Sequence, residues 1–153
     1  RKMGVNVGIG VDGSASNDSS HLLGEARLAM LLSRVGAGMQ GASRSGEDAP
    51  PLMSARQALE LATRGGAAVL GRDDIGSLEV GKCGDLIAVN LNRLDYAGAL
   101  HDPVAATLFC TPQNVDLNIV GGKVIVKNGQ MVNLDVPNLV QKHNQAAKRL
   151  LNG

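Results

Sequence analysis

The chain is nearly devoid of aromatic residues, with no Trp, one Tyr and one Phe among 153 positions. Aromatic side chains usually supply much of the buried area of a core. Their scarcity leaves Val, Leu, Ile and Ala to fill the interior, packed against backbone that 20 glycines leave bare. Neither sign of charge is in marked excess. Fifteen basic residues face fourteen acidic ones, for a net charge of +1, and without a basic stripe or tail a nucleic-acid polymer is not an expected partner. The two cysteines, Cys83 and Cys110, are far apart and in apolar or turn-like contexts, which argues against a disulfide framework and for reduced thiols of a cytoplasmic protein. There is neither a run of about 18 apolar residues nor a basic stretch followed by an apolar one, so no membrane partner is expected.

Metal-ligand spacing is absent as well. The chain has no His-x-His, no Cys-x-x-Cys and no His-Glu-x-x-His, whereas zinc takes three or four protein ligands as a rule. The signature of the cytidine-type zinc deaminases is excluded with them. The glycine-rich opening Gly8 to Gly13 lacks the Gly-Lys-Ser/Thr of a phosphate loop, so a phosphate site is not expected there.

What remains is a clear order of elements. Val5 to Val11 is a short apolar run that reads as a strand and ends abruptly in Asp12, followed by the small polar residues Gly13, Ser14, Ala15, Ser16, Asn17 and Asp18. A strand tip that presents a carboxylate just before a helix start is how α/β barrels deliver a reactive group into a pocket. Asn17 or Asp18 is the expected N-cap of a helix in which Leu22, Leu23, Ala26, Ala29, Met30 and Leu32 recur at helical spacing through about Val35. Gly36 to Pro51 reads as a surface connection. Ser54 and Gln57 have capping-box spacing for a second helix, with a stop at Gly65-Gly66. Short strands are expected at Ser77–Val80, Leu86–Asn90, Val115–Val120 and Lys123–Lys127, the last two joined by Gly121-Gly122, a dipeptide that tolerates positive φ at both positions. Asn128-Gly129 turns the chain again before Gln130-Met131-Val132. Asp135 and Pro137 then open a closing helix with Leu139, Ala146 and Leu150 on one face and Lys148 and Arg149 near its C-terminal dipole. Parallel strands are normally covered on both faces and flanked by neighbours, so Val5 to Val11 calls for partners that lie upstream in a longer protein.

Four stretches, in order, resemble the amidohydrolase superfamily and its chlorohydrolase and aminohydrolase branch, which includes 8-oxoguanine, guanine and cytosine deaminases. Gly10-Val11-Asp12-Gly13-Ser14-Ala15-Ser16-Asn17-Asp18 is similar to the family's eighth barrel strand, and Ala58 to Ala67 to the helix after the barrel. Asp74 to Ile87 resembles the turn into the flanking β-sandwich, and Val120 to Gly129 its closing hairpin. The resemblance implies an α/β fold: the C-terminal end of a (β/α)8 TIM-type barrel plus part of the sandwich. Residues 1–72 would hold the last strand and helices of the barrel, 73–135 part of the sandwich and 136–153 the C-terminal helix. A whole barrel takes about 250 residues, so this length cannot close one.

The resemblance also implies a function. The parent enzyme would hydrolyse the exocyclic amine of a small heterocycle such as 8-oxoguanine, guanine or cytosine and release ammonia. Hydrolysis of a triazine or ring chloride is the alternative within the superfamily, and a non-catalytic assembly module the alternative outside it. Asp12 is the one residue that maps onto the family's machinery, both as the catalytic proton carrier and as a ligand of one divalent metal, zinc ahead of iron. The remaining ligands, and the N-terminal remainder of the barrel, would come from other polypeptide, so 153 residues alone are expected to be inactive. A homo-oligomer is expected.

Each candidate also has a plainer reading. Alone, Asp12 reads as a turn aspartate that bonds its own backbone; the downstream matches favour the active-site reading. Ser14, Ser16 and Asn17 read as loop and cap residues that fix the direction of Asp12. His21 reads as a hydrogen-bonded structural group at a helix start, His101 as a structural or subunit-contact residue, and His143 as solvated or packed against a neighbour. Cys83 and Cys110 read as small apolar packing groups.

Overall fold

The computed structural model describes residues 3–17, 19–39, 52–110 and 114–152. They form two compact units, one from Arg1–Cys83 and Val89–Asn114, the other from Gly84–Ala88 and Val115–Gly153.

Helix α1 (Leu22–Met39) runs farther than its apolar periodicity suggests, into the segment expected as a connection. Positions 40–51 of that connection lie outside the described residues. Ala26 and Met30 of α1 are fully buried against Ala55 and Ala58 of α2 (Ala55–Glu60) and Leu108. Ala26, Ala55 and Ala58 let the helices approach closely, while Met30 and Leu108 fill space that aromatic side chains take in other cores. The start of α2 is as its spacing predicts. Ser54 Oγ accepts from the Gln57 N–H at 3.2 Å while Gln57 Oε1 accepts from the Ser54 N–H at 2.9 Å, a reciprocal capping box.

The expected stop at Gly65-Gly66 does not occur. The chain continues through a π-helical turn, Leu61–Gly65, into α3 (Gly66–Val69) and leaves the helix at Gly71, whose φ is +64°. The glycine pair serves a contact instead. A Cβ on Gly65 would collide with the Val7 carbonyl oxygen, and one on Gly8 would lie 2.9 Å from Gly66 Cα. The segment Val5 to Val11 runs along this helix, with the Ile9 N–H donating to the Leu61 carbonyl at 3.3 Å and Asn6 Nδ2 to the Ala68 carbonyl at 3.2 Å. It pairs with no strand among the described residues, so the expected strand is present only as a run laid against the helix. The Ile9 side chain packs on the buried cluster.

A helix absent from the expectations, α4 (Pro103–Phe109), completes this unit. Asp102 caps it by accepting from the Ala105 N–H at 3.1 Å and also meets Arg56 of α2 at 3.1 Å. Tyr96, the single tyrosine, is buried in the 3-10 turn Leu94–Tyr96. Arg34 stacks over Phe109 at 4.9 Å. Ser77–Val80 is not a strand; a turn built on Asp74 replaces it. Arg72 grips the Asp74 carboxylate through Nε at 2.8 Å and Nη2 at 2.6 Å, and the Cys83 thiol donates to Asp74 Oδ2 at 3.2 Å. The Arg72 guanidinium, and then the thiol, hold the Asp74 carboxyl well below the usual carboxylate range. Cys83 is thus a polar partner in a turn and not an apolar filler.

The second unit is a four-stranded antiparallel sheet in the order β1 (Leu86–Ala88), β2 (Leu117–Val120), β3 (Lys123–Lys127) and β4 (Gln130–Met131). Its turns follow the sequence. Gly121 and Gly122 have φ of +54° and +76°, and Asn128 and Gly129 of +53° and +74°, the conformation that two-residue hairpins demand. Asp85 Oδ1 accepts from the Gly121 N–H at 2.6 Å, and the Gly84 carbonyl accepts from the Gly122 N–H at 2.9 Å. The Gly84-Asp85 pair is therefore a clasp on the hairpin. Helix α5 (Val136–Asn152), capped by Asp135 Oδ1 on the Asn138 N–H at 3.1 Å, has no buried residue. Among the described residues, no helix is long and apolar enough to cross a membrane.

Candidate active site

Asp12 stands where the run along the second helix ends. Its φ is +67°, a left-handed conformation that Asp and Asn accept more readily than other non-glycine residues because their short side chains bond locally. The local bonds are present. Ser16 Oγ donates to Asp12 Oδ2 at 2.7 Å, and the N–H groups of Ser16 and Asn17 donate to the Gly13 carbonyl at 3.0 and 2.9 Å. The Ser16 hydroxyl, aided by the Gly13 backbone N–H, lowers the Asp12 pKa below its ordinary value. The result is an exposed carboxylate, ionised at neutral pH, with one oxygen oriented by a neighbouring hydroxyl.

The loop beyond Asp12 is tied to α1. Asn17 Nδ2 donates to Glu25 Oε1 at 2.7 Å, Ser19 Oγ to the same atom at 3.1 Å, and the Ser19 N–H to Asn17 Oδ1 at 3.0 Å. Asn17 is not the N-cap of α1, and Asp18 lies outside the described residues. His21 does the capping: its Nδ1 accepts from the Gly24 N–H at 3.1 Å. This bond occupies Nδ1 as an acceptor, so His21 is the structural group at the helix start that its position suggests. His101 is exposed in the turn before α4. His143 lies on exposed α5 beside a shallow depression lined by Leu139, Val140 and Asn144. Gly8, Gly10 and Gly13 do have Gly-x-Gly-x-x-Gly spacing, but α1 begins only at Leu22, so no helix N-terminus closes on these glycines as a dinucleotide site requires. Nothing in the sequence marks Glu25 for this contact, since an acid in the first turn of a helix ordinarily signals only a favourable dipole interaction.

A family model described as the amidohydrolase family matches residues 1–125. The chain belongs to the amidohydrolase family. It is 41% identical over 150 residues to the 8-oxoguanine deaminase of Pseudomonas aeruginosa, covering 98% of this chain and 31% of that protein. It is 40% identical over 153 residues to the hydroxydechloroatrazine ethylaminohydrolase of Pseudomonas sp. strain ADP, covering 98% and 30%. Among solved structures it superposes on a zinc-bound adenosine deaminase from Xanthomonas campestris with a TM-score of 0.84 and 32% identity, over 99% of this chain and 33% of that one. The zinc complex of the atrazine chlorohydrolase from Arthrobacter aurescens gives 0.79 and 36%, over 94% and 30%. The chain thus spans about a third of the length of these relatives. The structural relatives are amidohydrolase barrels, and the mixed helices and strands of this amidohydrolase are consistent with their C-terminal portion.

The zinc in those relatives sets a test for the residues present here. Among the described residues, no group of three or more His, Cys, Asp or Glu could hold a metal ion. Asp12 fits as a single ligand, because it is ionised, exposed, and bonded to Ser16 through only one of its oxygens. A full zinc site needs further ligands from outside the described set.

Proposed function

We propose that this amidohydrolase chain is the part of a metal-dependent aminohydrolase that contributes the proton-carrying carboxylate, and that the whole enzyme deaminates a nucleobase-like ring. Supporting this reading is an ionised carboxylate, at the end of a run anchored to the core, in a chain 41% identical to an 8-oxoguanine deaminase. The substrate class is a small heterocycle such as 8-oxoguanine, guanine or cytosine. The 40% identity to a triazine aminohydrolase supports triazine hydrolysis as the second reading. On the same reading residues 1–72 derive from the barrel, 73–135 contribute to a flanking sandwich and 136–153 form the closing helix.

A zinc ion, when bound, supplies a water whose pKa lies near 7 instead of that of bulk water. Asp12 would be one of its ligands and the base that takes a proton from the attacking water. The water oxygen bonds to the ring carbon, the C–N bond breaks, and Asp12 returns the proton to the departing nitrogen, which leaves as ammonia. Ser16 holds Oδ2 in place throughout. Like any exposed carboxylate at neutral pH, Asp12 would enter the reaction as a base and not as an acid.

The test is Asp12→Asn in the full-length enzyme, assayed by ammonia release from 8-oxoguanine, guanine, cytosine and hydroxylated triazines. Loss of about 10² to 10⁴ in kcat is expected. Near-normal turnover would remove Asp12 from the mechanism.

A further inference from the structure

The Asp12 loop is fastened to α1 through Glu25. Glu25 Oε1 accepts both Asn17 Nδ2, at 2.7 Å, and Ser19 Oγ, at 3.1 Å. Asn17 then bonds the Gly13 carbonyl through its backbone N–H, at 2.9 Å, and Ser16 bonds that same carbonyl as well as Asp12 Oδ2. These bonds, linked through Asn17 and Ser16 themselves, connect the helix to the Asp12 carboxylate. The two ends of this chain differ in freedom. Glu25 precedes Ala26, which is fully buried, so its backbone is held by the core, whereas residues 12–16 are all exposed. An exposed loop keeps one conformation only where something fixed holds it.

Resting on the reading of Asp12 as the reactive carboxylate, we propose that Glu25 is a positioning residue, which sets the direction of Asp12 by accepting Asn17 and Ser19 together. What the loop requires of position 25 is an oxygen acceptor at the end of a side chain of this length. The negative charge is not the essential property, so Gln should replace Glu and Ala should not.

The experiment compares Glu25→Ala, Glu25→Gln and Asn17→Ala in the full-length enzyme, with Asp12→Asn as reference. Glu25→Ala is expected to weaken zinc binding, measured by competition with a chelating dye, about tenfold or more, and to lower kcat comparably with little change in KM. Glu25→Gln is expected to retain both. In the zinc-free protein, amides of the 13–17 loop should exchange hydrogen faster in Glu25→Ala than in Glu25→Gln. Asn17→Ala removes the loop end of the same link and should reproduce the zinc and kcat losses even if Glu25→Ala does not fold. Unchanged zinc affinity and kcat in Asn17→Ala, or equal damage from Glu25→Gln and Glu25→Ala, overturns the positioning role. When Asp12→Asn is inactive, that outcome leaves the active-site reading standing; an active Asp12→Asn enzyme overturns both.

Discussion

The two units of the molecule are held together by different physics. Among the described residues, every buried hydrophobic side chain, from Ala26 and Met30 to Tyr96 and Leu108, belongs to the helical unit, and none belongs to the unit of sheet and closing helix. The sheet unit relies on backbone pairing, on two turns whose residues take positive φ, and on the Asp85 clasp. Apolar burial is non-directional and scales with the area removed from water, whereas a turn depends on individual backbone angles. The first unit should therefore be sensitive to side-chain volume and the second to backbone conformation.

The sharpest way to break this contrast is a volume change in each unit. Met30→Ala, at a fully buried site, is expected to cost about 2–5 kcal/mol. Val124→Ala in β3, where the side chain is 41% exposed, should cost under about 1 kcal/mol. Equal losses in urea unfolding would erase the distinction. Next in size is a backbone change. Gly122→Val places a β-branched residue at a φ of +76° and should cost about 1–2 kcal/mol, read as a lower unfolding midpoint. The smallest effect concerns acid. Asp74 has a lowered pKa in the folded protein, so the unfolded chain binds more protons as pH falls below the ordinary carboxylate pKa of about 3.9. Its stabilising contribution is complete above that pH and is lost as pH drops towards the lowered value. Asp74→Asn should therefore flatten the decline of stability with acid below about pH 4, and an unchanged slope would show that the Arg72 pair contributes nothing.

Legibility in the sequence follows the same division. The sheet unit was largely readable because turn chemistry is local: Gly121-Gly122, Asn128-Gly129 and the Asp135 cap each lie within a few residues of what they control. The capping box at Ser54 was readable for the same reason. The helical unit was harder to read where contacts are remote. Gly65-Gly66 looked like a stop because nothing nearby reveals that Val7 and Gly8 need the space. Helix α4 is seven residues long, too short for periodicity, although Asp102-Pro103 is a proper helix start. Ser77–Val80 alternates like a strand, but its local structure follows from the grip of Arg72 and Cys83 on Asp74. At the candidate site, the bond from Ser16 to Asp12 was legible from a polar cluster after an apolar run, whereas the proposed role of Asp12 rests on the downstream family resemblance. The atom through which His21 caps α1 and the bonds of Glu25 to Asn17 and Ser19 were not legible, because each depends on where a side chain reaches.

Ile9 bears on Asp12 through simple reach. Its side chain is seated on the core and its N–H is bonded to Leu61, and three residues of chain, even pulled straight, extend no more than about 11 Å. The acid is thus on a short tether. Slackening at the π-turn would loosen this tether, which makes a helix remote in sequence the mechanical footing of Asp12.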